Sequence, residues 1–435
     1  MAELESMVPV AAIVYLLLGI VSLILLNRSK NRIWIDFMVG QILGLCLFIQ
    51  GLAYSSHSII LAFSGDDVDL QFFIFSRNSL FIISGFLAAT IPLLFPYPIL
   101  QNSSTIKYII SGILGMSLLS AVYMMMTNYR YFGITDIIFV IPFVLLISVY
   151  FRFLTEEIRN NDLTARRMSF AAGLVLIGIH GREMTWWLAQ VISINDEFVG
   201  RGAIELGEFA YSYAPAWIGY NINATIGSIA ILILTVGESW RASHKGMNGF
   251  LLVVLLIFAV GTISGIADYA VLDIVNSCMY SVCEDYPETY DIWYNFTTNA
   301  LVYLFTPLIA MYIILNFDII DSRSSENSWM SRIIVILMLL IVTSSMIELL
   351  QSFLPVSEMV SSAILAMVVA IFIGWEERIM LKLVEEGESI SKKLISLDEL
   401  NIPDMENNHL QLFSKAVGVM VVFIILLSAV YSAII

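Results

Sequence analysis

Runs of about twenty predominantly apolar residues recur along the whole chain. That recurrence limits the fold more than any single residue does. Twenty residues of α-helix reach ~30 Å, the thickness of a bilayer's hydrocarbon core. Of 435 residues, 59% are hydrophobic and 13% are charged. A soluble domain carries roughly twice that charged fraction. The pattern predicts an all-α integral membrane protein with about twelve transmembrane helices. The spans lie near 8–26, 33–54, 79–98, 107–126, 134–153, 168–190, 211–235, 248–271, 293–316, 333–351, 357–375 and 413–433.

Charge gives an independent check on that count. With the amino terminus outside, the odd-numbered connections face the cytoplasm. Seventeen of the 21 Lys and Arg residues then fall on that side. Arg77, Arg130 and Arg201 fall outside, and Arg182 lies within the membrane. Positive charge gathers on the cytoplasmic face of a bilayer, so the alternation supports this topology in a cell membrane. The first span follows an acidic start, Met-Ala-Glu-Leu-Glu-Ser, and Arg28 and Lys30 come after it. A secretory signal has the opposite layout, so the expectation is a retained helix. The net charge is −15, and much of the acid sits in the outer connections, at Asp66, Asp67, Asp69, Glu284 and Asp285 among others. Such a face is either simply solvating or gathers cations. No basic patch invites nucleic acid.

The two halves run in parallel. Asn78, just before span three, and Asn299, in the first turns of span nine, are 221 positions apart. Ser103-Ser104 and Ser324-Ser325 follow those spans at the same offset. Glu156-Glu157 and Glu376-Glu377 repeat it again, at 220. The reading is two parallel six-helix repeats, 1–200 and 201–435, related by an axis along the membrane normal. In the last cytoplasmic connection Ile379, Leu383, Ile390, Leu394 and Leu397 recur at helical spacing. They describe an amphipathic helix over about 376–400. It either lies on the membrane surface or carries a protein partner or homo-oligomer contact.

Polar side chains inside the spans are the candidate site. Span six contains His180-Gly181-Arg182-Glu183-Met184-Thr185-Trp186-Trp187, with the only Lys or Arg that lies away from the ends of a span. Ionisable groups in lipid are costly and point to function by default. His180 and Glu183, three apart, share a helical face. Arg182 either snorkels toward the interface marked by the Trp pair or meets a partner on another helix. Asn221 and Asn223 in span seven, Asp268 in span eight and Glu348 in span ten fall at similar depth. Together these residues form either an outward-facing polar vestibule or a buried network that fixes packing. Proline breaks occur at Pro92, Pro96 and Pro98, at Pro142, at Pro215 and at Pro307, with Thr306-Pro307 the most central. Cys46 reads as a small apolar residue. Cys278 and Cys283 share an outer loop, where they either bridge or remain two thiols.

Away from their ends the spans contain no lysine for a retinal Schiff base and one clear histidine, too few for a bis-histidine haem. No cofactor, metal site or catalytic constellation is implied, and the expectation is not an enzyme. The leading reading is a transporter for a small cationic or zwitterionic solute. It would be coupled to a proton or cation, with alternating access between the halves. The alternative is a membrane-embedded sensor or assembly subunit that binds a ligand or protein without transport.

Overall fold

The computed structural model describes residues 7–28, 33–63, 69–100, 103–126, 134–192, 234, 301–319, 329, 331–338, 341 and 367. Seven long helices are complete within them. They are α1 (Met7–Arg28), α2 (Trp34–Ala62), α3 (Gln71–Ala88), α4 (Ser103–Met126), α5 (Ile134–Asn160), α6 (Leu163–Ile192) and α7 (Leu301–Asn316). No strand occurs among the described residues. Four segments are long and apolar enough to cross a membrane: Val8–Arg28, Trp34–Ala62, Gln71–Leu93 and Ser103–Tyr123. The protein is therefore an all-helical membrane protein. The first, second, fourth, fifth and sixth expected spans each fall on one helix, and every helix extends beyond its apolar run.

The third span differs from the expectation of 79–98. Its helix starts earlier, at Gln71, where the Asp69 carboxylate accepts the Gln71 backbone N–H at 3.0 Å. It also stops earlier, at Ala88. Pro92, Pro96 and Pro98 lack the N–H a helix needs, and each disfavours helical geometry in the residue before it. The prolines thus end the helix where a kink within it was expected. The chain continues through a single 3-10 turn, Ile91–Leu93. A hydrogen bond from the Leu100 N–H to the Leu93 carbonyl, 3.1 Å long, then closes the loop.

Local chemistry sets the other helix ends. Asn161 leaves α5 with φ 52°, a left-handed value that Asn tolerates. One residue later, Asp162 caps α6 by accepting the Thr164 N–H at 2.8 Å. These two residues suffice to turn the α5–α6 hairpin. After α7 the Ile319 N–H reaches back to the Ile314 carbonyl and the Asp318 N–H to Leu315, with Asp318 at φ 50°. This is a Schellman ending with Asp where Gly is usual.

The helices pack mainly through neighbours in sequence. α1 and α2 form an antiparallel pair in which backbones nearly touch. A Cβ on Gly19 would lie 2.6 Å from the Phe48 backbone nitrogen, and one on Gly51 would lie 2.7 Å from that of Leu16. Lipid tails supply no hydrophobic drive between helices, so such close approach is what holds them. α3 packs on α2, and α4 on α3. α6 pairs with α5 and with α7, which also reaches α1 and α2. Phe170 through Ile177 are all buried, a stretch of more than two turns. α6 is therefore enclosed on every side along that stretch.

Candidate functional site

α6 adjoins a cavity of about 380 Å³. Small-molecule sites are commonly of this size. From α2 it takes Val39, Leu43, Cys46, Leu47 and Gln50, positions that recur along one helical face. From α7 it takes Thr306, Ile309, Ala310 and Ile313, again one face. α3 contributes Phe81 through Ala88 in part, and α6 contributes Val175 and Gly178. The walls are apolar apart from the Cys46 thiol, the Gln50 amide and the Ser84 and Thr306 hydroxyls. Among the described residues lining it there is no Asp, Glu, Lys, Arg or His.

Most of that polarity is already satisfied. Cys46 Sγ donates to the Ser84 carbonyl at 3.6 Å, and Ser84 Oγ donates to the Phe81 carbonyl at 3.0 Å. Thr306 Oγ1 donates to the Gly178 carbonyl at 3.3 Å, tying α7 to α6. The helices are close here, since a Cβ on Gly178 would sit 3.1 Å from Ile309 Cγ2. Thr306 also hydrogen-bonds with the buried Tyr15 hydroxyl of α1, which in turn hydrogen-bonds with Tyr54 of α2. The Tyr15 and Tyr54 rings are 5.1 Å apart, and Tyr54 meets Phe81 of α3 edge-on at 5.2 Å. A continuous thread of hydroxyls and rings therefore crosses five helices beside the cavity. Pro307 contributes to this region by omission: its ring nitrogen has no proton for the carbonyl four residues earlier, which loosens α7 at its polar residue.

The cavity reaches the region where α7 ends. Phe95 and Ile319 line it. Phe95 stacks edge-on against Phe317 at 5.5 Å, and Phe317 packs on Phe170 at 6.4 Å. The Arg167 guanidinium lies 5.9 Å from the Phe317 ring centre, within cation–π range, and donates to the Asn316 carbonyl at 3.3 Å. Arg152 lies in the same way against Tyr97 and Phe153, at 5.6 and 5.5 Å. Asp36 in the first turn of α2, Glu157 near the end of α5 and Asp318 just after α7 are buried as well. This charged and aromatic cluster was not singled out in the sequence, because each member sits at the margin of a span and reads as part of a connection.

His180, Arg182 and Glu183 all lie on α6, in the stretch leading to Ile192. Their side chains are outside the described part of the structure, but their register is not. Arg182 follows Gly178 by four residues and Val175 by seven, which puts all three positions on one stripe of the helix. Asn221, Asn223, Asp268, Glu348, the Cys278–Cys283 pair and the helix expected at 376–400 lie outside the described residues. Cys46 is buried as a small apolar residue would be. Gln50, Tyr15 and Tyr54 were missed. A neutral polar group in an apolar run signals less than a charge does, and tyrosine patterns like any large apolar residue. Thr306 carried a signal, the adjoining proline. Among the described residues no three of His, Cys, Asp and Glu come together as a metal site. The chemistry available is hydrogen bonding and contact. No known protein family, curated protein or solved structure matches this chain.

Proposed function

We propose that the protein is a multi-pass transporter for a small cationic or zwitterionic solute, whose path runs beside α6. One observation carries the reading. Val175 and Gly178 line the cavity, and Arg182 continues their stripe one turn, about 6 Å, farther along the helix. The enclosure of α6 over residues 170–177 supports it too, because a charge that continues an enclosed helix is directed at protein or water more readily than at lipid. In this reading Arg182 and Glu183 meet the solute's charged groups, and His180 tunes them. Asn221, Asn223, Asp268 and Glu348 complete the polar wall. Two parallel six-helix repeats, 1–200 and 201–435, rock about this path in the cell membrane. The amino terminus is outside and the basic connections are cytoplasmic. The helix at 376–400 is the contact for a partner or second copy.

Uptake by purified protein in liposomes under an imposed proton or sodium gradient tests the proposal. Arg182→Ala should lower uptake by roughly 10- to 100-fold, as losing a charge-assisted hydrogen bond would. Glu183→Gln should change the dependence on the gradient, and both variants should fold. If no gradient drives any solute of a broad panel, and removal of 385–400 abolishes a partner complex, the sensor reading replaces this one.

A further inference from the structure

The cavity contains one polar group whose bonding is incomplete. Gln50 is half-buried and lines the cavity from α2. Among the described residues its side-chain amide has no hydrogen-bond partner, whereas Cys46, Ser84 and Thr306 each have one. A primary amide offers two donors and two acceptor lone pairs. Its amide atoms are not sealed among protein atoms but open to the cavity, so on an otherwise apolar wall the amide is available to bond an occupant.

We propose that this cavity is a binding site for a neutral, mainly apolar small molecule that carries one hydrogen-bonding group, held by the Gln50 amide. The wall chemistry selects that class. A charged ligand would be desolvated with no counter-charge among the described lining residues. A lipid acyl chain would fill the apolar volume but leave the amide unpaired. Water alone would satisfy the amide but wet the surrounding Leu43, Leu47, Phe81 and Ile309 surface. A molecule with an apolar body and one N–H, hydroxyl or carbonyl group satisfies both demands. The aromatic faces of Phe81, Phe86 and Phe95 suit a flat ring system. This proposal goes beyond the transport reading, because binding here does not require that anything cross the membrane.

Two probes of the same shape separate the possibilities. N-phenyl-1-naphthylamine carries one N–H, and 1-benzylnaphthalene has a methylene in its place. Probe fluorescence is titrated against the full chain in lipid nanodiscs, with empty nanodiscs subtracted. The expected result is one saturable site per chain, with 1-benzylnaphthalene competing about tenfold more weakly, the size of one neutral hydrogen bond. Gln50→Leu should erase that tenfold preference. Gln50→Met, closer in shape, repeats the test if the leucine variant does not fold. Ala310→Phe, which fills the cavity, should abolish saturable binding of both probes. The proposal is overturned by the absence of a saturable component above empty nanodiscs. It is equally overturned by a preference that survives loss of the amide, or by binding that survives the filled cavity. Failed uptake with intact probe binding would remove the transporter reading alone.

Discussion

α2 and α4 are both long apolar helices, and their surroundings are opposite. Half of the most apolar stretch of α2 is buried within the protein, against 12% of that of α4. Tyr108, Leu118, Leu119 and Met126 of α4 are all more than 60% exposed. Their glycines differ in the same way. Gly51 of α2 could not carry a Cβ without meeting the Leu16 backbone, whereas Gly112 and Gly115 of α4 have nothing within 4 Å. In water such exposed apolar surface would mark an interface. In a bilayer the lipid covers it at little cost, so apolarity stops reporting burial. What separates a packed helix from a lipid-facing one is close backbone approach and the polar contacts between helices. α1, α2, α6 and α7 have these.

The largest test of that contrast is at the seam. Gly19→Ala and Gly51→Ala should each cost about 1–3 kcal/mol, because backbone atoms cannot give way as flexible side chains can. Thermal unfolding in detergent checks this, and unchanged midpoints would show that α1 and α2 are not packed backbone to backbone. The mid-bundle thread should matter less. Thr306→Val keeps the shape but removes the hydroxyl shared with Gly178 and Tyr15, at a cost of about 1 kcal/mol. The same unfolding assay reads it, and Thr306→Ser should recover most of the loss. Smallest, and opposite in sign, are Gly112→Ala and Gly115→Ala. Each should stabilise α4 by about 0.5–1 kcal/mol, since Ala fits a helix better and nothing is displaced. Destabilisation by either one would mean that α4 has a close neighbour, and the comparison with α2 would collapse.

Much of the helical layout was legible from the sequence. The spans at 8–26, 33–54, 107–126, 134–153 and 168–190 each correspond to one helix, because length and apolarity are local properties of the chain. The third was displaced by about eight residues at its start. The run from Gln71 to Phe75 looked like loop beside the acidic stretch, and three prolines ended the helix that apolarity alone would have carried to residue 98. The candidate site was legible only as one helix. The octet lies on α6, the helix that gives Val175 and Gly178 to the cavity, and Thr306-Pro307 marked the helix beside it. The amide of Gln50 and the hydroxyls of Tyr15 and Tyr54 gave no warning. Their significance lies in what faces them across the bundle, and those neighbours are distant in sequence.

The sequence by itself determined that this chain is helical and lies in a membrane, where α1, α2, α4, α5 and α6 fall along it, and which helix carries a charge inside an apolar run. Backbone hydrogen bonding, proline geometry and capping act over a few residues and can be read there. Only the tertiary structure decided that α4 faces outward while α6 is enclosed, and that Val175 and Gly178 open onto a cavity. It also decided that Phe95, stacked on Phe317, lines that cavity, and that the Gln50 amide lines it without a hydrogen-bond partner among the described residues. In a bilayer every helix is apolar on most of its surface. Which face meets protein is therefore set by glycine seams and a few polar contacts between distant segments, and not by the hydrophobic pattern.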